Sequence, residues 1–341
     1  MRDAHLTEQD LMRKAGLKAA GGDRAPKTVN DLCNEYMVAQ KPSVRLTTWD
    51  KYATTIRLYI EPTIGSLSTE KLTKARLMAW KVEMSGKGLS VVTCQKAYAV
   101  LRAVLNYAVK MDYLEKNPLT AIGNFTDRNF TPKEESIHFY TKDEFLRFIA
   151  VAKTHRQSWP QKCCYVFFCL AYMTGMRKGE MNALKWSDIE ENVIHVRRSI
   201  SQKVMDQDDQ MLETLPKSRS SYRDVQMPEP LKHILDQHKE EQQQQDGFSE
   251  NWRVVGGQTV LADTTISAAN RKYASEAGLP MIRIHDFRHS HASFLINEGI
   301  NIYEIARRLG HSDIAMTLNV YGHLYPKESE RALAALNQVE L

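Results

Sequence analysis

A polar stretch in the first half of the chain, NFTDRNFTPKEES at residues 124–136, separates two regions of regular apolar pattern. It contains Pro132 and lacks the apolar spacing of a helix or a strand, whereas regular apolar patterns continue on both sides of it. At 341 residues the chain is longer than one hydrophobic core usually supports. The sequence therefore predicts two domains, residues 27–122 and 137–326, joined by a linker at 123–136.

The first domain is predicted to be all-helical. Thr28 and Asp31 have the spacing of a capping box, and the apolar residues that follow recur at helical intervals. Residues 1–26 end in AAGGDRAP, which predicts a flexible leader. Further helical patterns are separated by the turn signals EPTIGS and SGKGL, and they are RLTTWDKYATTIRLYI, TKARLMAWKVEM and SVVTCQKAYAVLRAVLNYAVKM.

The second domain is predicted to be mostly helical with a small antiparallel sheet. Thr141 and Glu144 form a second capping-box pattern, and the apolar run CCYVFFCLAYM predicts a helix that continues into TGMRKGEMNAL. The segments NVIHVRRSI and YRDVQMP alternate like strands and flank a loop with LETLPKSRSS. Residues 327–341 predict an amphipathic C-terminal helix, packed either on its own domain or on another protomer. The predicted fold class is mainly α with a small antiparallel β-sheet, an α+β protein.

Composition excludes several classes of protein. No apolar run approaches the roughly 20 residues that span a bilayer, and the N-terminus lacks the apolar core of a secretory signal. The five cysteines contain no CxxC pair, which favours buried reduced thiols over disulfides or a zinc site. We therefore expect a cytoplasmic protein without a membrane partner.

The charge is distributed unevenly. Residues 1–130 contain 20 Lys and Arg against 13 Asp and Glu, a net charge of +7, whereas the remainder contains 26 against 28, a net charge of −2. A basic front half and a near-neutral back half suit a polyanion-binding domain followed by a chemical domain. Ordinary scatter of surface charge remains an alternative explanation of this difference.

The stretch IHDFRHSHASFL, residues 284–295, concentrates histidine and arginine. His285 and His289 have the spacing of two metal ligands on a helix, but no glutamate stands where a zinc hydrolase has its base, and Arg288 would lie beside the metal. His285 and Arg288 share a helix face, and a guanidinium matches phosphate oxygens. The pattern favours an anion site. His289 and His291 are interpreted as residues that pack or that support the reacting groups, rather than as participants.

Two other segments supply groups for the same chemistry. In TGMRKGE, Arg177 stands near a helix start, where backbone N–H groups also favour anions, and Glu180 is spaced to hold it. In LGHSDIAMTLNVYGHL, His311 follows a glycine and Tyr321 comes ten residues later. A tyrosine attacks phosphorus only where nearby cations favour its deprotonation.

The set TGMRKGE, LPKSRSSYR, HDFRH, LGH and NVYGHL, in this order over residues 174–324, resembles the catalytic domain of the tyrosine recombinase (phage integrase) family. The helical front domain is similar to the core-binding domain of that family. The resemblance implies a site-specific DNA recombinase that integrates or excises a mobile element through a 3′-phosphotyrosine, without metal or ATP. The implied catalytic residues are Arg177, Lys217, His285, Arg288, His311 and Tyr321.

The resemblance also implies a role for each group. Arg177, Arg288 and His311 would bind the scissile phosphate, and Tyr321 would attack it. Lys217 would protonate the leaving 5′-oxygen and His285 would assist proton transfer near the tyrosine. Lys203 is the nearest rival of Lys217, and Tyr325 competes with Tyr321.

Partners and alternatives follow from the same resemblance. We expect a C-shaped clamp on double-stranded DNA at core-type sites, with contacts from Lys51, Arg57, Lys96 and Arg102, and a homotetramer with a possible accessory excisionase or DNA-bending protein. The 26-residue leader is too short for the arm-binding sheet of many integrases. A type IB-like topoisomerase and a catalytically inactive DNA-binding regulator are the alternative functions.

Overall fold

The computed structural model describes residues 27–126, 138–205, 211–214, 222–322 and 336–337. The chain divides into two compact units, Met1–Lys133 and Glu134–Leu341. The predicted leader, most of the predicted linker, and the predicted C-terminal helix apart from residues 336–337 lie outside the described residues.

The described part of the first unit is helical. Thr28 caps its first helix, and the capping box with Asp31 is formed as predicted. A short 3₁₀ turn at Thr69–Lys71 connects two of the helices. The helices are α1 (Val29–Gln40), α2 (Leu46–Thr55), which continues through a π-helical segment at Ile56–Ile60, α3 (Glu61–Ile64), α4 (Lys74–Gly86) and α5 (Val91–Lys110).

The core of this unit is built along α5, whose inward residues recur at helical spacing. Leu101 and Leu105 are fully buried. From α4, Trp80 is fully buried and lies edge-on to Phe125, with ring centroids 6.0 Å apart. The Trp80 indole N–H donates to the hydroxyl of Thr63 at 3.0 Å, which satisfies its one polar atom inside the core.

The second unit surrounds one buried helix. Helix α7 is apolar on every side, and residues 163–172 are all buried, as expected of a helix that other elements cover completely. The Thr141–Glu144 capping box is formed at the start of α6. The helices are α6 (Lys142–Thr154), α7 (Trp159–Thr174), α8 (Lys178–Ala183), α9 (Glu229–Gln243), α10 (Asp263–Glu276), α11 (Asp286–Asn297), α12 (Ile302–Leu309) and α13 (Ile314–Tyr321).

The strands form two small antiparallel sheets. The first has the order β1-β2-β5, and its pairing of Ile194 with Val225 joins the two strands predicted from alternation. The second is a β3–β4 pair, so Met211–Thr214, predicted within a loop, is a strand. Its sequence, MLET, places two apolar residues before two polar ones, so it lacks the alternation that indicates a strand. The strands are β1 (Ile189–Glu190), β2 (Val193–Val196), β3 (Ser199–Met205), β4 (Met211–Thr214) and β5 (Arg223–Gln226).

The mainly α fold with small antiparallel sheets is therefore confirmed. Among the described helices, none combines the length and the apolar character that crossing a bilayer requires. All five cysteines are buried free thiols, and burial raises the pKa of Cys163 and Cys164 to about 12.

Candidate active site

A sharp turn after α7 positions Arg177. The helix ends at Thr174, and Gly175 has a left-handed backbone with a φ of +64°, which glycine adopts without strain. A Cβ atom at this position would lie 2.6 Å from Cδ2 of His291 and 2.8 Å from Cδ2 of Leu309. Only glycine fits here. The helix predicted to continue through this segment is therefore interrupted, and Arg177 becomes the N-cap residue of α8.

A buried carboxylate holds the Arg177 side chain. Nη1 of Arg177 donates to Oε1 of Glu180 at 2.9 Å, as the sequence suggests. Arg223, on β5, also donates to this carboxylate, with 2.8 Å between its Nη2 and Oε2 of Glu180. Burial alone would raise the pKa of Glu180, but the ion pairs with Arg223 and Arg177 outweigh it and lower that pKa. Arg223 was not predicted, since its contact with Glu180 joins distant parts of the chain.

The C-terminal end of α12 gathers these arginines. The carbonyl oxygen of Leu309 accepts from Nη2 of Arg288 at 2.7 Å, and that of Gly310 accepts from Nη2 of Arg177 at 3.3 Å. Nε of Arg223 donates at 2.7 Å to the carbonyl oxygen of Arg308, the residue before Leu309. The last carbonyls of a helix have no partners within the helix and carry partial negative charge, so guanidinium groups stabilise them. Arginines from three elements thereby meet at one helix end.

Arg288 is the most buried of these cations, with 3% of the residue exposed. Its Nη1 donates to the carbonyl oxygen of Gly175 at 2.7 Å, and its Nη2 lies 2.8 Å from Nε2 of His311. Burial, followed by the charge of Arg177, lowers the pKa of Arg288 to about 9. The guanidinium therefore keeps its positive charge at neutral pH although it is almost completely buried.

His311 is fixed by hydrogen bonds on both sides of its ring. Gly310 ends α12 with a φ of +70°, which sets His311 immediately beyond the helix. Nδ1 of His311 lies 2.7 Å from the hydroxyl of Thr317. Because Arg288 can only donate, Nε2 of His311 accepts, and we infer that the proton of the neutral ring is on Nδ1. Burial and the charge of Arg288 lower the pKa of His311 to about 4.

Tyr321, the last residue of α13, is 2% exposed and packs against Leu309 and neighbouring apolar side chains. Its hydroxyl lies 2.6 Å from Nδ1 of His289. Burial raises the pKa of Tyr321 to about 12, against the opposing effect of Arg288. His289, interpreted from the sequence as a residue that packs or supports the reacting groups, thus contacts the predicted nucleophile directly.

The other two histidines of the cluster have different environments. His285 precedes α11 at the surface, and its ring lies edge-on to that of His289, with centroids 5.0 Å apart. Desolvation by neighbouring atoms, followed by the charge of Arg288, lowers the pKa of His285. His291 is buried, with Nδ1 2.7 Å from the carbonyl oxygen of Tyr172, and it packs as predicted.

Five of the six predicted residues meet in one neighbourhood. A hydrogen bond joins Arg288 to His311, and Arg177 contacts the C-terminal end of α12, as Arg288 does. His285 packs against His289, which in turn contacts the tyrosine hydroxyl. Lys217 lies outside the described residues, and so does the side chain of its rival Lys203. The arrangement offers two guanidinium groups and an imidazole to a tetrahedral anion, beside a tyrosine hydroxyl.

Comparison with known protein families identifies the family of the chain. Residues 138–328 match the phage integrase family, and residues 28–85 match its N-terminal SAM-like domain. Because the first match covers more than half of the chain, the protein belongs to the phage integrase family of tyrosine recombinases, and it is a DNA-cleaving and DNA-rejoining enzyme of site-specific recombination. The family resemblance of the sequence motifs is thereby confirmed.

Relatives of this chain include a tyrosine recombinase and two integrases. A tyrosine recombinase XerC-like protein of Caldanaerobacter subterraneus subsp. tengcongensis is 28% identical, over 92% of this chain and 83% of the relative. The ICEBs1 integrase of Bacillus subtilis is 28% identical, over 77% of this chain and 70% of the relative. The solved Tn1549 transposon integrase in complex with a circular intermediate DNA has the same fold, with a TM-score of 0.69 and 21% identity over 90% of this chain and 98% of that one.

Proposed function

We propose that the cluster around Arg288 is the active site, where DNA is cut and rejoined through a 3′-phosphotyrosine. The observation that carries this assignment is the double contact of Arg288. It binds Gly175, in the turn that leads to Arg177, and His311, in the segment that leads into α13 and Tyr321. One buried guanidinium therefore links the elements that supply the other groups.

Arg177 and Arg288 bind the non-bridging oxygens of the scissile phosphate in this proposal. Negative charge grows on those oxygens in the pentacoordinate transition state, and preorganised positive groups stabilise it most strongly where water is excluded. Both side chains are already held by carbonyl or carboxylate oxygens, so little reorganisation accompanies the reaction.

His311 adds a hydrogen bond to the same phosphate. Its Nε2 accepts from Arg288 in the free chain, so it needs a proton there before it donates to an anion. Rotation of the Thr317 hydroxyl, so that it donates to Nδ1, allows the neutral ring to carry that proton on Nε2. The phosphate then takes the place of His311 as acceptor for Arg288.

Tyr321 attacks phosphorus in line and releases a 5′-hydroxyl. Lys217, which precedes β5 in the sequence, protonates the leaving oxygen as general acid, and His285 assists proton transfer near the tyrosine. The phosphotyrosine ester retains the energy of the broken bond, so the 5′-hydroxyl of a partner strand reverses it without ATP. The side-chain cations supply the charge stabilisation that magnesium supplies to most phosphoryl transfer enzymes.

Both units contribute to binding duplex DNA in this proposal. In the first unit the side chains of Lys51, Arg57, Lys96 and Arg102 are exposed, and residues 1–130 carry a net charge of +7. Neutralising phosphates with such groups releases counterions, so the affinity falls steeply as salt is raised.

We also propose that a homotetramer on core-type sites integrates and excises a mobile element in the cytoplasm of a bacterial cell, with an accessory excisionase or DNA-bending protein. The integrase names of the relatives support the mobile element. A lambda integrase tetramer bound to a Holliday junction, with a TM-score of 0.62 and 16% identity, supports the tetramer. Residues 327–341 would link neighbouring protomers.

The test is a covalent trap. The chain is incubated with a randomly nicked duplex library from the DNA around its coding sequence, and denatured covalent complexes are isolated and sequenced. Wild type is expected to capture a defined site, whereas Tyr321→Phe binds the same DNA but forms no adduct. Adducts in Tyr321→Phe at the wild-type level would refute the assignment of the nucleophile.

A further inference from the structure

One histidine of the site has no part in the mechanism described above. Nδ1 of His289 lies 2.6 Å from the Tyr321 hydroxyl, and the two ring centroids are 5.5 Å apart. On the other side of the imidazole, Nε2 lies 3.9 Å from Oδ1 of Asp286, which is buried one turn earlier on α11. The imidazole therefore lies between a carboxylate and the nucleophile hydroxyl.

The carboxylate near Nε2 favours one arrangement of the protons, in which the hydroxyl donates to Nδ1. The hydroxyl has one hydrogen to donate, and a neutral imidazole that accepts it on Nδ1 carries its own hydrogen on Nε2. That nitrogen lies 3.9 Å from Oδ1 of Asp286, an electrostatic contact rather than a hydrogen bond, and Arg283 holds the carboxylate with Nη2–Oδ1 at 2.9 Å. A carboxylate behind a base favours this tautomer and stabilises the imidazolium that forms when the base takes a proton.

We propose that His289 is the general base that takes the hydroxyl proton of Tyr321 during its attack on phosphorus, with Asp286 stabilising the resulting imidazolium. The inference rests on the proposed function, because it takes Tyr321 as the nucleophile. His289 is then a catalytic residue, since it touches the reacting oxygen.

Atoms and charges balance in this step. The bond from the Tyr321 oxygen to phosphorus forms while its proton moves to Nδ1 of His289. The bond from phosphorus to the 5′-oxygen breaks, and that oxygen takes a proton from the general acid. In the rejoining step the incoming 5′-hydroxyl gives its proton to the general acid as its oxygen bonds to phosphorus. The bond from phosphorus to the Tyr321 oxygen breaks, and the proton on His289 returns to that oxygen.

Burial keeps the Tyr321 hydroxyl protonated and the His289 imidazole neutral at neutral pH, so the attack requires the removal of a proton from the hydroxyl. Burial raises the pKa of Tyr321 to about 12, so the hydroxyl stays protonated at neutral pH. Burial, followed by the neighbouring His285, lowers the pKa of His289 to about 4, so the ring is neutral at neutral pH and one of its nitrogens carries a lone pair. His285 lies one ring further from the hydroxyl, against His289.

The first test separates a base from a group that only positions the tyrosine. In His289→Asn, the amide oxygen still accepts the Tyr321 hydrogen bond but takes no proton. Adduct formation on a nicked duplex of the trapped site is expected to slow by about 10²- to 10⁴-fold, the usual contribution of a general base. DNA binding is expected to match wild type, and so is cleavage by the control His233→Asn, on the exposed side of α9.

The second test lowers the need for a base. Replacing Tyr321 with 3,5-difluorotyrosine gives a more acidic phenol, whose proton is lost more easily without a base. The replacement is expected to raise the rate of adduct formation by about tenfold more in His289→Asn than in the wild-type background. The same measurement on His289→Gln covers the case in which asparagine disturbs folding. Cleavage by His289→Asn within about threefold of wild type, or equal effects of fluorination in both backgrounds, would overturn the proposal. Adducts in Tyr321→Phe would instead refute the proposed nucleophile.

Discussion

Arg288 donates a hydrogen bond of 2.7 Å to the carbonyl oxygen of Gly175, two residues before Arg177. The deepest cation of the site therefore also fixes the turn that presents the second one. This contact depends on the left-handed backbone of Gly175, and that backbone leaves no room for a side chain. The geometry of the two arginines is thus set by a glycine that has no chemistry of its own.

Gly175→Ala is expected to damage both stability and cleavage. Its Cβ would meet His291 and Leu309, so backbone strain of about 1–2 kcal/mol is joined by overpacking of about 1–3 kcal/mol. Gly278→Ala is the matched control, because Gly278 has a φ of +62° but no atom within 4 Å of the added Cβ. Urea unfolding should rank Gly175→Ala as the less stable variant. Equal losses of stability would show that the crowding has no energetic weight.

Glu180→Gln removes the negative charge between Arg177 and Arg223. Breaking one side of a buried ion pair costs about 3–5 kcal/mol, and Glu180 and the Arg223 side chain are each only 5% exposed. We expect a lower free energy of unfolding and slower cleavage. Glu304→Gln is the control, since its pair with Arg307 is exposed and worth about 1 kcal/mol or less. A Glu180→Gln variant as stable as Glu304→Gln would contradict this role.

Arg177→Ala and Arg288→Ala are expected to slow single-turnover cleavage by about 10²- to 10³-fold each, about 3 to 4 kcal/mol, as for the loss of an oxyanion donor. Binding of the same DNA should change far less, because many other contacts hold the duplex. Single-turnover adduct formation at saturating protein measures the effect. Near-normal cleavage by either variant would remove that arginine from the transition state.

Much of the site was predictable because its signals are local. The capping box of Thr141 and Glu144 lies within four residues, and Gly310 followed by His311 encodes a helix end and the group beyond it. Arg177 and Glu180 are likewise three residues apart. Short spacings such as these fix local geometry before any tertiary packing is considered.

The remaining features depend on contacts between distant segments. Arg223 meets Glu180 across 43 residues, and His289 meets Tyr321 across 32 residues. No periodicity in the sequence encodes which of three clustered histidines faces the tyrosine. The rotation of α11 about its axis decides it, and packing against α7 and α12 sets that rotation.

Stability is expected to fall in mild acid through His238. This side chain is fully buried, stacked on Trp159, with Nε2 2.9 Å from the carbonyl oxygen of Val254. Burial lowers its pKa from 6.5 to about 4. Between these pH values the unfolded chain binds a proton that the folded chain does not. The contribution of neutral His238 to the free energy of unfolding is therefore complete above pH 6.5 and is lost as the pH falls toward 4.

The lowered pKa of His238 corresponds to about 3 kcal/mol. In His238→Gln, the fall in free energy of unfolding between pH 6.5 and pH 4 should therefore be shallower than in wild type. Urea titrations at a series of pH values measure this slope, and the exposed His233→Gln serves as the control. Identical slopes in His238→Gln and wild type would show that His238 does not stay neutral in the fold.

Mapping the trapped residue shows whether Tyr321 forms the covalent bond to DNA. After nuclease and trypsin digestion of the adduct, the nucleotide should be carried by the peptide of residues 309–327, which contains both Tyr321 and its rival Tyr325. Fragmentation by tandem mass spectrometry is expected to place the nucleotide, joined through its 3′-phosphate, on Tyr321. A nucleotide on Tyr325, or on a residue outside this peptide, would contradict the proposed active site.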